Sequence, residues 1–339
     1  MNHLAKKSLI LEKIRGRRIS FAGFPTPLQR MPNLSKVLDG PNLFIKRDDM
    51  TDLAFGGNKA RKLEFVFADA KDKGADVIIA AGMVQSNCVC MVASAARRLG
   101  MKPVLVLQGK EPEVYAGNLL LDKLLSPEIR FVDDLGSDVP GRLAPIADEF
   151  REKGYNPYII PVGATTPLSA WGYALAMEEL VNQFDELGEN LDYVVCACGT
   201  GGTQAGLVLG TKLLDVEAKI LGISVFADKV VASKQIVQLV NGSAGLLGID
   251  LSVSAEEVTV FDEYIKEGYG VLNEEVTEAL KLVAETEGIF LDPVYTGKAM
   301  VALIDLVKKD YFGEEDNVVF LHTGGLPALF PYRNKLSKD

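Results

Sequence analysis

Four short runs of branched and apolar residues set the terms for this chain. Val77-Ile78-Ile79-Ala80, Val104-Leu105-Val106-Leu107, Tyr193-Val194-Val195-Cys196 and Val318-Val319-Phe320-Leu321 are continuous rather than alternating. That is the pattern of strands covered on both faces. Amphipathic segments lie between them. Ala60, Leu63, Phe67 and Ala70 recur at helical spacing with Val66 beside them, and Gly74 reads as the C-terminal stop. A second helix is expected from near Ser86-Asn87 to just before Gly100, and a third from about Asn273 to Glu287, stopping at Gly288. Strand–helix–strand alternation predicts an α/β fold, a parallel sheet with helices on both faces. No internal repeat is visible, and Asp133 to Gly141 reads as a loop.

The chain has 339 residues, about two domains' worth at roughly 150 residues each. With 48% hydrophobic residues it can bury a large core, which excludes disorder as a whole-chain reading. A formal net charge of −10 argues against a nucleic-acid or anionic-membrane partner. No apolar run approaches the roughly 18–20 residues that span a bilayer. Lys6, Lys7, Glu12, Lys13, Arg15, Arg17 and Arg18 interrupt any signal-peptide core. Four cysteines make no disulfide framework in a chain of this length, so a cytoplasmic setting is expected.

Two glycine-rich loops carry the chemistry. Cys198-Gly199-Thr200-Gly201-Gly202-Thr203 follows one strand and leads into Ala205–Leu214, which has helical character. Glycines let a backbone approach an anion, and a helix N-terminus offers it free N–H groups. A phosphate is the natural guest; a tightly packed strand–turn–helix corner is the plainer alternative. A dinucleotide fingerprint would need glycine at the sixth position, where this chain has Gln204, and no Gly-Lys-Ser/Thr nucleotide loop occurs.

The second loop is Gly56-Gly57-Asn58-Lys59, ahead of the first amphipathic helix. A lysine at a helix start opposes the helix dipole. As an arbitrary lysine it would be solvated. Desolvated behind a glycine pair, it would have a lowered pKa and could form a Schiff base. A lysine and a phosphate loop together are the minimal equipment for pyridoxal phosphate.

Competing chemistries fit less well. Cys88-x-Cys90 and Cys196-x-Cys198 are spaced more tightly than structural zinc ligands, so no metal is expected. The chain has two histidines, His3 and His322, and no G-x-S-x-G elbow. His322 reads as a packed residue at a strand end rather than a hydrolase base. A nicotinamide oxidoreductase and a non-catalytic pyridoxal-phosphate carrier remain as other classes.

Seven segments occur in a familiar order: Pro25-Thr26-Pro27-Leu28, Lys46-Arg47-Asp48-Asp49, Gly56-Gly57-Asn58-Lys59, Gln85-Ser86-Asn87, Gly199–Thr203, Asp292-Pro293-Val294-Tyr295 and His322-Thr323-Gly324-Gly325. From about residue 20 to 330 the chain resembles the D-cysteine desulfhydrase and 1-aminocyclopropane-1-carboxylate deaminase family. The resemblance implies the tryptophan-synthase-β fold (fold type II): two parallel-sheet α/β domains with pyridoxal 5'-phosphate in the cleft between them. A larger domain from residues 1–59 and 171–339 would enclose a smaller one from 60–170. Lys59 would hold the cofactor covalently and Asn87 would hydrogen-bond its phenolic oxygen. Gly199, Thr200, Gly201, Gly202 and Thr203 would hold its phosphate, with Asn58 and Thr323 completing the cofactor site. Gln85, Ser86 and Asn87 would receive a small amino-acid substrate, its carboxylate lying at the helix N-terminus; an ordinary N-cap is the plainer reading of Ser86. Tyr269 and Tyr295 would flank that substrate. The resemblance also implies a homodimer.

Within the family, the deaminase branch resembles a pattern with glutamate after the Asp-Pro-Val-Tyr segment and leucine after the histidine. This chain has Thr296 and Thr323 there. A neutral hydroxyl can hydrogen-bond the ring nitrogen without protonating it. The expected reaction is therefore α,β-elimination of D-cysteine to pyruvate, hydrogen sulfide and ammonia, with cyclopropane deamination as the alternative. After Gln-Ser-Asn the family continues with His or Gln and then a basic residue, whereas this chain has Cys88-Val89-Cys90-Met91. Cysteate and other β-substituted amino acids therefore stay open as substrates.

Overall fold

A computed structural model describes residues 3–136 and 138–337. Its strands are β1 (Leu28–Arg30), β2 (Asn42–Lys46), β3 (Val77–Met83), β4 (Lys102–Gln108), β5 (Glu128–Val132), β6 (Pro157–Ile160), β7 (Tyr193–Cys198), β8 (Lys219–Ser224), β9 (Thr259–Phe261) and β10 (Asn317–Leu321). The longer helices are α1 (His3–Arg15), α2 (Pro32–Leu38), α3 (Lys59–Asp72), α4 (Asn87–Arg98), α5 (Gly117–Leu124), α6 (Val139–Glu152), α7 (Pro167–Leu187), α8 (Gly202–Leu214), α9 (Lys229–Leu247), α10 (Glu274–Glu287) and α11 (Thr296–Lys308).

Among the described residues the strands form two sheets. One has the order β1-β2-β10-β7-β8-β9, the other β5-β4-β3-β6. Only β1 runs antiparallel to its neighbour. The mixed α/β architecture with parallel sheets is thus the one the sequence implied. All four apolar runs are strands, and the three expected helices are α3, α4 and α10. The segment Asp133 to Gly141 is not all loop: α6 begins at Val139, because Asp138 Oδ1 accepts from Gly141 N at 3.0 Å and caps it. No described helix is long and apolar enough to cross a membrane.

The period-two geometry of a strand explains why the runs had to be continuous. In β7, Val194 and Cys196 face a core shared with α7, α8 and α9. Tyr193 and Val195 face another, made with α10 and α11. In β3, Ile78 and Ala80 pack against α3 and α4, while Val77 and Ile79 meet α6. Helix α7 crosses α3 at its backbone: a β-carbon at Gly172 would lie 2.3 Å from the Arg61 carbonyl oxygen. The carboxyl ends of β3, β7 and β10 lead into the segments holding Ser86, Gly199 and Thr323. In parallel α/β sheets that is where ligands bind.

Candidate active site

The Lys59 loop is built from three constraints. Gly56 has φ +77°, and a β-carbon there would lie 1.9 Å from the Asp49 carbonyl oxygen, so only glycine fits. Gly57, at φ +139°, donates its N–H to Thr51 Oγ1 at 2.8 Å and pairs with Gly324 as an isolated bridge. Asn58 N then donates to the Thr323 carbonyl at 3.1 Å. The loop is thereby fastened across the end of β10, and Lys59 becomes the first residue of α3.

A buried charged cluster anchors the same helix from below. Arg61 donates to both oxygens of Asp48, at 2.8 Å each, and to both oxygens of Glu179, at 3.0 Å each. Lys46 Nζ reaches Glu179 Oε1 at 2.5 Å, and Tyr173 Oη donates to Asp48 Oδ2 at 2.5 Å. Thr26 Oγ1 donates to Asp48 Oδ1 at 2.8 Å. Burial pushes the Asp48 carboxyl up, but the Arg61 guanidinium, the Tyr173 hydroxyl and the Lys46 ammonium together more than offset it and hold it below its ordinary range. The segments Pro25–Leu28 and Lys46–Asp49 are therefore the walls of this cluster.

The second glycine loop joins β7 to α8. Gly201 has φ +78° and stands immediately before α8. Thr200 and Thr165 place their hydroxyls 2.5 Å apart. Asn58 Nδ2 donates to Thr203 Oγ1 at 3.0 Å and so links the two loops. Lys62 enters from α3, one turn after Lys59. Its fully buried ammonium donates to the Gly163 carbonyl at 2.7 Å and to Thr165 Oγ1 at 2.6 Å, with no carboxylate partner among the described residues. Burial, reinforced by the Lys59 charge, holds its pKa well below the ordinary lysine value. A cation at the positive end of a helix, without a counter-ion, marks a place for an anion.

Ser86 and Asn87 begin α4. Ser86 is its N-cap, its Oγ accepting from Val89 N at 3.3 Å. Opposite them, Tyr295 and Tyr269 bring their hydroxyls to 2.6 Å. Asp292 orients Tyr295: its carboxylate accepts from the N–H groups of Val294, Tyr295 and Thr296 at 2.8–3.0 Å, capping α11. Burial keeps both phenols protonated beyond their ordinary range, Tyr295 most strongly.

These segments line one cavity of about 370 Å³. Asn58, Lys59, Ser86, Asn87, Gly199, Thr200, Gly201, Gly202, Thr203, Tyr269, Tyr295 and Thr323 all border it. Two sequence-predicted residues do not. Gln85 turns its amide to α5, donating to the Ala116 carbonyl and accepting from Asn118 N, both at 3.0 Å. Thr296 is fully buried, its hydroxyl 2.7 Å from Asp292 Oδ1. Lys62, Gln108 and Phe226 line the cavity without having been singled out. For Lys62 the signal was present: at i+3 from Lys59 it shares a helix face.

Cys88 also borders the cavity, and all four cysteines are free and buried. Among the described residues no group of His, Cys, Asp or Glu could hold a metal. His322 is buried beyond β10. Its Nδ1 accepts from Gly324 N at 3.2 Å and its Nε2 lies 3.0 Å from the Phe290 carbonyl, so it supports the Thr323 turn.

The donor set fits pyridoxal phosphate: an amine at a loop end, and a glycine cradle at a helix N-terminus beside an uncompensated ammonium. Comparison with known proteins agrees. Residues 19–324 match the family model described as pyridoxal-phosphate dependent enzyme. The chain is 42% identical over 320 residues to a provisionally named 1-aminocyclopropane-1-carboxylate deaminase of Pyrococcus abyssi, covering 94% of each chain. It is 41% identical over 320 residues to the D-cysteine desulfhydrase of Salmonella typhimurium, covering 93% of this chain and 96% of that one. A crystal structure of an ACC deaminase homologue superposes with TM-score 0.89 at 39% identity over 98% of both chains. Threonine deaminase isoform 2 of Solanum lycopersicum shares the fold, with TM-score 0.70 at 16% identity, covering 98% of this chain and 88% of that one.

Proposed function

The chain belongs to the pyridoxal-phosphate dependent enzyme family, and we propose that it is a lyase eliminating hydrogen sulfide from D-cysteine. The cofactor is pyridoxal 5'-phosphate. When bound, it supplies an aldehyde that captures amines and a ring that accepts the electron pair released at Cα.

The protein's own part follows from its residues. Lys59 would hold the cofactor through its amine, and the same amine, with Tyr295 across the cavity, is placed to take or relay the substrate Cα proton. Gly199–Thr203, Thr165 and Lys62 hold the phosphate. Asn87 hydrogen-bonds the phenolic oxygen. The first turn of α4, with Ser86, receives the substrate carboxylate. Tyr269 holds Tyr295 in place through their shared hydrogen bond. The thiolate leaves Cβ and takes up a proton, and the enamine product hydrolyses to pyruvate and ammonia.

The observation that carries this reading is the neutral hydroxyl of Thr323 on the cavity wall, where the deaminase branch resembles leucine; Thr296, where that branch resembles glutamate, stands outside the cavity on Asp292. The lining supports a thiol over cysteate as well. Its cations are Lys59 and Lys62, both engaged with the cofactor in this reading, so a sulfonate gains no counter-ion. The test is keto-acid release from D- and L-cysteine, D-serine, β-chloro-D-alanine, cysteate and 1-aminocyclopropane-1-carboxylate. D-cysteine turning over fastest is the expected result; faster turnover of the cyclopropane substrate or of cysteate overturns the assignment.

We further propose that residues 60–170 form a smaller domain set between 1–59 and 171–339. The four-stranded sheet comes wholly from 77–160, and the six-stranded one from 28–46 and 193–321. A homodimer, measured by sedimentation, completes the proposal.

A further inference from the structure

We propose that Asn118, on α5, is the positioning residue that decides which end of the Asn87 amide faces the cofactor. The inference rests on the pyridoxal-phosphate reading of the site. Asn118 is buried, 2% exposed. Its Nδ2 donates to Asn87 Oδ1 at 2.5 Å and to the Gln85 carbonyl at 3.0 Å, while its backbone N donates to Gln85 Oε1. Gln85 Nε2 returns a bond to the Ala116 carbonyl, so residues 85–87 and the first turn of α5 hold each other at both ends.

The contact is rigid for steric reasons too. Gly117, at φ +59°, sits where a β-carbon would lie 2.5 Å from Gln85 Oε1 and 2.6 Å from the Pro327 carbonyl oxygen. The start of α5 is thus wedged between the Asn87 segment and the turn that follows Thr323.

A primary amide has one accepting end and one donating end. Asn118 occupies the accepting end of Asn87. That leaves Nδ2 as the end free to donate, and it lies close to Gly325, two residues past the cavity-lining Thr323, where a β-carbon would come within 2.8 Å of it. An ionised phenolic oxygen needs a donor, and a hydrogen bond to a charged group is the stronger kind. Asn118 therefore presents Asn87 to the cofactor as a donor. Asn118→Asp replaces the Nδ2 donor by an acceptor of nearly the same shape. It repels Asn87 Oδ1 and favours a turned amide whose lone pairs meet the phenolic oxygen.

The test is titration of cofactor-free protein with pyridoxal phosphate, reading dissociation constant and visible spectrum, for wild type, Asn118→Asp, Asn118→Ala, Asn118→Ser, Asn87→Ala and the double variant Asn118→Asp/Asn87→Ala. The expected Kd rises by about tenfold or more for Asn118→Asp, the scale of one lost hydrogen bond to a charged group. The rise is smaller for Asn118→Ala and smallest for Asn118→Ser, which keeps a donor. In the Asn87→Ala background, Asn118→Asp has no further effect. A merely structural role would lower Tm alike in both backgrounds, without that order. If Asn118→Asp does not fold, the ranking of Ser over Ala decides. Variants that match wild type in Kd and spectrum, or an aspartate effect undiminished without Asn87, overturn the inference. Wild-type protein that binds no pyridoxal phosphate overturns the functional reading beneath it; wild-type binding with insensitive variants overturns this inference alone.

Discussion

Lys62 and Gly202 meet so closely that a β-carbon at position 202 would lie 2.7 Å from the lysine Nζ. An ammonium from α3 is thereby held at the positive end of α8, in a wall with neutral acceptors only. The arrangement opposes the empty site and favours one holding phosphate.

Lys62→Met is therefore expected to stabilise the cofactor-free protein while weakening pyridoxal phosphate binding by about tenfold or more. The pH dependence has a definite sign. Lys62 loses its proton in the folded protein well below 10.5, its value when unfolded. Between those two pH values the unfolded chain binds more protons, so stability rises with pH. Denaturation of cofactor-free wild type and Lys62→Met across pH should show that rise removed in the variant. Identical curves would show that Lys62 carries no such strain.

Tyr295→Phe removes the hydroxyl that meets Tyr269 at 2.6 Å. Proton transfer by a positioned side chain is worth about 10²–10⁴-fold. The variant should lose kcat by about 10²-fold while its lysine-bound cofactor spectrum stays unchanged. Steady-state kinetics with D-cysteine read the first, absorbance the second; an unchanged kcat removes Tyr295 from the proton path.

Arg61→Met leaves the buried Asp48 and the partly buried Glu179 without their main counter-charge. Breaking a buried ion pair costs about 3–5 kcal/mol, so urea denaturation should show a loss of that size. In wild type, both carboxyls sit below their unfolded values of 3.8 and 4.5. Their contribution is present above those values and is lost as pH falls through the depressed folded ones. Arg61→Met should accordingly be less sensitive than wild type to acid below about pH 4.5. A loss under about 1 kcal/mol would mean that the cluster does not anchor α3.

Thr296→Glu combined with Thr323→Leu introduces the residues of the deaminase branch. Thr323 borders the cavity, and Thr296 is buried outside it on Asp292. The ratio of 1-aminocyclopropane-1-carboxylate to D-cysteine turnover should rise. An unchanged ratio would show that these two positions do not set the reaction.

Much of this was legible in the chain. The continuous apolar runs had to be strands covered on both sides, and the glycines at 56–57 and 199–202 announced close backbone approach. The short or partly covered strands were not legible. β9 has three residues, and every residue of β5 is half-buried, so neither produces a run. The burial of Lys46 and Arg61 had no signal in the chain, because only folding brings them to Glu179, more than 100 residues away. Lys62 went unremarked although it shares a helix face with Lys59; the Gly163 and Thr165 partners that bury it lie more than 100 residues along the chain. Gln85 and Thr296 were placed in the site by the family resemblance. In space, the first serves α5 and the second serves the Asp292 cap.

The central claim is that the Lys59 amine carries the cofactor. Borohydride reduction of the pyridoxal-phosphate-loaded protein, followed by peptide mapping, tests it directly. The account predicts one pyridoxyl label, on Lys59, and none on the Lys59→Ala variant. A label on Lys62 or elsewhere, or none at all, would contradict it.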